Sequence, residues 1–183
     1  MIVYLHGFNS SPQSHKAQLM ARSMAKLGLA EEFACPALPP SAREAIRIAE
    51  RASRKPVCYV GSSLGGFYAT YLAEKHGGNA VLINPAIDPH MGLRAYLGAQ
   101  KNLYTGESYE LTESHLDEWR ELYAAKITPA RYLLLVETGD EVLDYRRAVE
   151  RYAGAEQIVV QGGDHTLHSF PQHLDRILRF AGY

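Results

Sequence analysis

"VGSSLGGF", Val60 to Phe67, sets two serines and three glycines directly after the apolar run Val57-Cys58-Tyr59. Within it Gly61-Ser62-Ser63-Leu64-Gly65 fits G-x-S-x-G, the pattern of a sharp turn from strand to helix with a serine at its apex. Such a turn strains the serine backbone and brings strand and helix so close that the residues two positions away on either side must lack bulk. It also aims the free amides and positive end of the helix at the serine hydroxyl. A phosphate-binding loop fits less well, because no Lys-Ser/Thr pair follows the glycines and no third glycine stands at dinucleotide spacing.

Outward from this turn, β-rich runs alternate with stretches of helical period. That alternation predicts an α/β fold with an open, mostly parallel six-stranded sheet and helices on both faces. The expected strands are Ile2–Leu5, Phe33–Pro36, Val57–Gly61, Ala80–Asn84, Tyr132–Thr138 and Gln157–Gln161. A first helix starts at Ser11 as N-cap, turns Ala17, Met20, Met24 and Leu27 inward, and stops at Gly28. A second opens with the capping box Ser41…Glu44, and a third runs from Leu64 to His76. Later helices carry Val149 and Tyr152, then Phe170, Leu174, Ile177 and Leu178. More than forty residues between Asn84 and Arg131 show no clear strand, too many for an ordinary connection. They read as a helical lid inserted at about 86–129 in one domain spanning 1–183, with helices near Met91–Leu97 and Ser114–Ala124.

Composition bounds the function. The 183 residues are 46% hydrophobic and carry 19 basic and 20 acidic side chains, enough for a full-sized core and too balanced for a polyanion-binding face. Nucleic acid and membrane surfaces are therefore not expected as partners. Two cysteines do not make a disulfide framework, and the N-terminus lacks a basic leader. A soluble, unprocessed cytoplasmic protein is the expectation.

A serine hydroxyl needs a histidine and an acid to become a nucleophile, in the order acid then histidine downstream of this turn. After the strand at 132–138 comes "TGDEVLDY", which places Asp140 at a carboxyl edge of the sheet, and after the strand at 157–161 comes "GGDHTLHS", which places His165 in the next such loop. Ser63 would attack, His165 would act as base then acid, and Asp140 would fix the imidazole tautomer. Rivals exist: His168 and His173 read as surface residues, Asp88 and Asp144 as alternative acids, Asp164 as a turn residue and Glu141 as solvent-facing. In "YLHGFNSSP" the first strand ends at His6-Gly7, so the backbone amides of Phe8 and Leu64 are the candidate oxyanion donors, with the His6 side chain structural. No metal or other cofactor is expected, since the histidines show no H-E-x-x-H or Cys/His spacing.

The chain resembles the YqiA-like small esterases, a compact branch of the α/β-hydrolase superfamily. The resemblance rests on "YLHGFNSSP", "VGSSLGGFYAT", "NPAI" at Asn84–Ile87, "YTGESYEL" at Tyr104–Leu111, "TGDEVLDYR" and "GGDH", in this order along nearly the whole chain. It implies a carboxylic-ester or acyl-thioester hydrolase with Ser63, Asp140 and His165 as its triad. It also implies a minimal version of the fold, beginning on the strand that carries the oxyanion loop, whose open sheet edge would permit a homodimer. The expected partner is then a small-molecule acyl ester or thioester. Met91, Leu97, Trp119 and Tyr123 in the lid each read singly as packing, but together they suggest an apolar acyl site. A non-catalytic binding protein and an acyltransferase on the same scaffold stay open as alternatives.

Overall fold

The computed structural model describes residues 1–53 and 58–183. Val57, the expected start of the third strand, lies outside the described residues. Six parallel strands form one sheet: β1 (Ile2–Leu5), β2 (Phe33–Ala34), β3 (Cys58–Ser62), β4 (Asn79–Ile83), β7 (Tyr132–Glu137) and β8 (Glu156–Val160), in the order β2-β1-β3-β4-β7-β8. The strand that feeds the turn at Ser63 is thus central. β1, β3, β4 and β7 have nearly every residue buried, as expected of strands covered on both faces.

Side-chain alternation splits the core in two. Val3, Leu5 and Tyr59 face one layer while Ile2, Tyr4 and Val60 face the other. On the first face pack α2 (Ala42–Ala52), α3 (Leu64–His76), α5 (Glu113–Glu121) and α6 (Tyr145–Arg151), through residues such as Ile46, Leu72, Trp119 and Ala148. On the second pack α1 (His15–Lys26) and α7 (Phe170–Phe180), through Met20, Met24, Phe170 and Ile177.

Helix starts and stops follow local chemistry, with corrections to the expectations. Ser41 caps α2 by accepting the Glu44 amide at 3.3 Å. The cap of α1 is Ser14, not Ser11. Ser11 instead holds the preceding turn, its hydroxyl accepting the Gln13 amide at 3.0 Å and its carbonyl the Ser14 amide at 3.1 Å. Because α1 ends at Lys26, Leu27 falls outside the inward stripe and is 56% exposed.

The stretch between β4 and β7 holds a short α4 (Pro89–Gly92), a 3-10 turn (Leu93–Tyr96) and α5, and also a two-stranded antiparallel hairpin, β5 (Gly98–Lys101) with β6 (Ser108–Leu111). The hairpin was not expected from sequence. Its strands read "GAQK" and "SYEL", with mostly polar residues and alternating half-exposure, so no apolar run marks them. Among the described residues no helix is long and apolar enough to cross a membrane.

Candidate active site

At the end of β3 the chain turns through Ser63, whose backbone sits at φ 56° and ψ −121°. Backbone hydrogen bonds fix this strained residue: its amide donates to the Ile83 carbonyl at 2.9 Å, and its carbonyl accepts from Gly66 at 2.9 Å and Ala86 at 3.0 Å. Close approach accounts for the flanking glycines, since a Cβ on Gly61 would lie 2.1 Å from the Gly65 carbonyl oxygen. The result presents the Ser63 hydroxyl above the carboxyl edge of the sheet, where the loops after β1, β7 and β8 also end.

Those loops bring the expected partners together. His165 Nε2 lies 3.1 Å from Ser63 Oγ, and its Nδ1 lies 2.8 Å from Asp140 Oδ2. The Asp140 side chain is almost wholly buried, and its other oxygen accepts the Val142 and Leu143 amides at 2.9 and 2.8 Å. Burial works to raise the Asp140 pKa, but the bonds from His165, Leu143 and Val142 together with the imidazole charge outweigh it and hold the carboxyl below its ordinary value. An ionised carboxylate facing Nδ1 keeps the proton there, so Nε2 is left to accept the Ser63 hydroxyl proton.

Opposite the histidine, Gly7 touches the serine: a Cβ added there would lie 3.2 Å from Ser63 Cβ. Beside it, the amides of Phe8 and Leu64 have no hydrogen-bond acceptor among the described residues. His6 is buried and does not reach the serine. Its Nδ1 donates to the Gly7 carbonyl at 3.0 Å and its Nε2 accepts the Leu38 amide at 3.0 Å, a neutral bridge between two loops.

Of the rival groups, none meets Ser63. Asp164 closes an Asx turn onto the Thr166 amide and pairs with exposed His168, and Asp144 caps α6. Asp88 pairs with Arg147. His173 is only half-buried, with Nε2 unpartnered. Glu141 is exposed, yet its carboxylate accepts the His165 amide at 3.0 Å.

None of the four residues expected to bind substrate lines a cavity that Ser63 and His165 line, although Trp119 borders a small one beside Phe8 and Leu64. Trp119 is fully buried in the core beneath the site, where its indole donates to Tyr68 Oη at 2.8 Å. Leu97 packs on the same core, Met91 points to solvent, and Tyr123 stacks under Arg151 away from the serine. Two cavities instead flank Ser63 and His165: one of about 340 Å³ lined by Phe8, Ile87, Leu93, Tyr96, Val142 and Leu143, among others, and one of about 350 Å³ lined by Tyr4, His15, Lys16, Leu103 and Tyr104, among others. Periodicity identified the inward face of α5, but an inward face of a helix on the core is not a face on the site.

Two braces escaped the sequence reading. Buried Asn84 donates from Nδ2 to the carbonyls of Asp164 and His165, each at 3.1 Å, and accepts the Glu137 amide at 3.1 Å. Buried Glu137 in turn accepts the Asp164 amide at 2.8 Å and the Ser169 amide and hydroxyl at 2.9 and 2.6 Å, so the histidine loop hangs on both. Burial pushes the Glu137 pKa up, and the Ser169, Asp164 and His168 donors reverse the effect and leave it below 4.5. A carboxylate of lowered pKa contributes stability above its unfolded value that is lost as pH falls through the folded one. Glu137→Gln, which turns an amide donor toward N–H groups, is expected to cost about 1–3 kcal/mol near neutral pH. That deficit should narrow below pH 4.5, a trend that thermal melts of both proteins across pH would read.

The second brace is the hairpin. Leu103 donates its amide to the Asn9 carbonyl at 3.1 Å, Asn102 Nδ2 to the Ser10 carbonyl at 2.9 Å, and Tyr109 Oη to Asn9 Oδ1 at 2.6 Å. Asn9, at φ 51°, is thereby locked one residue beyond the Phe8 amide. Loss of one such bond costs about 1 kcal/mol. Tyr109→Phe is accordingly expected to slow any reaction that uses that amide by roughly fivefold through kcat, with KM little changed, as steady-state kinetics would report.

The fold defined by this sheet and its serine turn is that of the α/β hydrolases. Many solved structures share it, three of them as follows. A protein of Agrobacterium vitis S4 aligns with a TM-score of 0.77 at 19% identity over 98% of this chain and 87% of its own. The mouse alpha/beta hydrolase domain-containing protein 10 aligns at 0.75 and 17% identity over 97% and 88%. The monoacylglycerol lipase of Paleococcus ferrophilus aligns at 0.66 and 18% identity over 98% and 93%. The chain itself belongs to the family described as "Uncharacterised protein family (UPF0227)", the YqiA family, whose model matches residues 1–182. Among the described residues no group of three or more His, Cys, Asp or Glu side chains is placed to hold a metal ion.

Proposed function

We propose that this protein is a serine esterase that hydrolyses small acyl esters or thioesters through an acyl-enzyme on Ser63. The observation that carries the reading is the continuous contact from Ser63 Oγ to His165 Nε2 at 3.1 Å and from His165 Nδ1 to Asp140 Oδ2 at 2.8 Å, facing two amides that have no acceptor among the described residues. In the first step Ser63 Oγ bonds to the substrate carbonyl carbon as its proton passes to His165 Nε2. The carbonyl oxygen, now negative, takes the Phe8 and Leu64 amides. His165 returns the proton to the departing alcohol or thiol as that bond breaks. Water then repeats the sequence, releasing the acid and restoring the serine. The segment between β4 and β7 serves as a cap whose hairpin half is fastened to the oxyanion loop. Relatives in fold that are described as a monoacylglycerol lipase and an esterase domain lend weight to ester substrates.

The test is hydrolysis of p-nitrophenyl acetate and butyrate, with Asp140→Asn as comparison. An amide at this position favours the wrong imidazole tautomer, and the variant is expected to lose on the order of 10⁴ in kcat, the loss known for the same change in a serine protease triad. Full activity of Asp140→Asn would remove the acid from the mechanism.

A further inference from the structure

The loop that carries His165 is held almost entirely by side chains of other elements. The Asp164 and His165 amides donate to Glu137 and Glu141 at 2.8 and 3.0 Å, and the Asp164 and His165 carbonyls accept from Asn84, each at 3.1 Å. Those holds come from the ends of β4 and β7 and from the loop after β7. The next carbonyl, that of Thr166, is held from α1 instead: Lys16, in the first turn of that helix, donates its ammonium to it at 2.6 Å. Among the described residues this is the one hydrogen bond from α1 to the histidine loop. Lys16 also lines the second cavity that Ser63 and His165 share, so its side chain stands beside the reacting pair. Burial lowers the Lys16 pKa, while the carboxylates of Asp164, Glu137 and Asp140 work against that and favour the charged form.

We infer that Lys16 is a positioning residue for the triad: by clamping the Thr166 carbonyl to α1 it sets how close His165 stands to Ser63. The inference rests on the esterase reading for the rate it changes, but not for its geometry. His165 Nε2 stands 3.1 Å from Ser63 Oγ. A base must lie within roughly 2.6–3.2 Å of the group whose proton it takes, so the pair has almost no slack and a small drift of the loop parts it. Without Lys16, no hydrogen bond among the described residues ties the loop to α1, and it is left to its holds at β4 and β7. A charged donor binds a carbonyl more strongly than a neutral one, which suits a tie that must resist movement each time the imidazole gains and loses a proton. Thr166 is exposed, so water takes its carbonyl when Lys16 is lost and the fold survives.

The experiment compares wild type with Lys16→Met, and with Lys16→Cys before and after alkylation by 2-bromoethylamine, which rebuilds an ammonium at nearly the length of lysine. Wild type given the same treatment controls for Cys35 and Cys58. Two readouts are taken: the downfield proton resonance of His165 Nδ1–H, shared with Asp140, and kcat and KM for p-nitrophenyl butyrate. Lys16→Met and untreated Lys16→Cys are expected to weaken the resonance and to lose about tenfold in kcat with KM within about twofold, since a misplacement of about 1 Å can cost on the order of 10². Alkylation of the cysteine variant is expected to restore both. An unchanged kcat and resonance in Lys16→Met, a change confined to KM, or no recovery on alkylation overturns the inference. If wild type cleaves no ester, the esterase reading falls and the resonance alone decides: weakened in Lys16→Met and regained with the ammonium, it upholds the clamp, and unaltered, it overturns it.

Discussion

Replacing Ser63 with alanine is expected to lower kcat for ester cleavage by about 10⁶ and leave the fold in place, a loss of the size seen when a triad nucleophile is removed. The large effect follows because, among the described residues, no other hydroxyl meets His165 Nε2, which lies 3.1 Å from Ser63 Oγ. The small effect on stability follows from the backbone. The turn is fixed by the Ser63 amide on Ile83 and the Ser63 carbonyl on Gly66 and Ala86, bonds that alanine keeps. Alanine also has the same Cβ at φ 56°, so the strain is unaltered. Progress curves and a thermal melt on one preparation separate the two effects. Retained turnover would sink the mechanism, and a collapsed melt would show that the hydroxyl holds the turn.

Gly65→Ala is expected to do the reverse, unfolding the protein or costing more than about 4 kcal/mol, the range kept for severe steric or burial faults. The added Cβ would lie 1.9 Å from the Leu5 carbonyl oxygen and 2.8 Å from that of His6. Both are backbone atoms of β1 and the oxyanion loop, and neither can swing aside as a side-chain end would. Relief requires α3 to lift from β1, which breaks the core between Phe67, Leu72 and Leu5 and withdraws Gly7 from Ser63. Urea denaturation measures the loss, and a variant as stable as wild type would mean that helix and strand are not so tightly apposed.

What the sequence revealed, and what it hid, divides along physical lines. The strands of the sheet centre were legible because residues buried on both faces leave unbroken apolar runs, as in "YLLLVE" of β7. The serine turn was legible because close packing and strain restrict the residue types around Ser63 to a short pattern. Asp140 and His165 could be placed because each follows a recognisable strand by a few residues. The hairpin at 98–111 was not legible, for its strands pair only with each other and bury little. Its local signals are two glycines, Gly98 at φ 107° and Gly106 at φ 74°. The cavity lining was hidden for another reason. Ile87 and Val142 reach the site through loop geometry between elements, where no period relates residue number to direction, whereas the regular spacing of Leu116 and Trp119 led to the core. Asn84 and Glu137 were invisible as braces because their bonds run to residues more than twenty positions away.

The central claim is an activated nucleophile at Ser63, and labelling of the native protein with a fluorophosphonate probe, followed by mass spectrometry of its peptides, tests it without a guess at substrate. The expected result is one adduct, on the peptide carrying Ser63, absent from heat-denatured protein and from His165→Ala. No adduct on Ser63 under conditions that label a control serine hydrolase would contradict it.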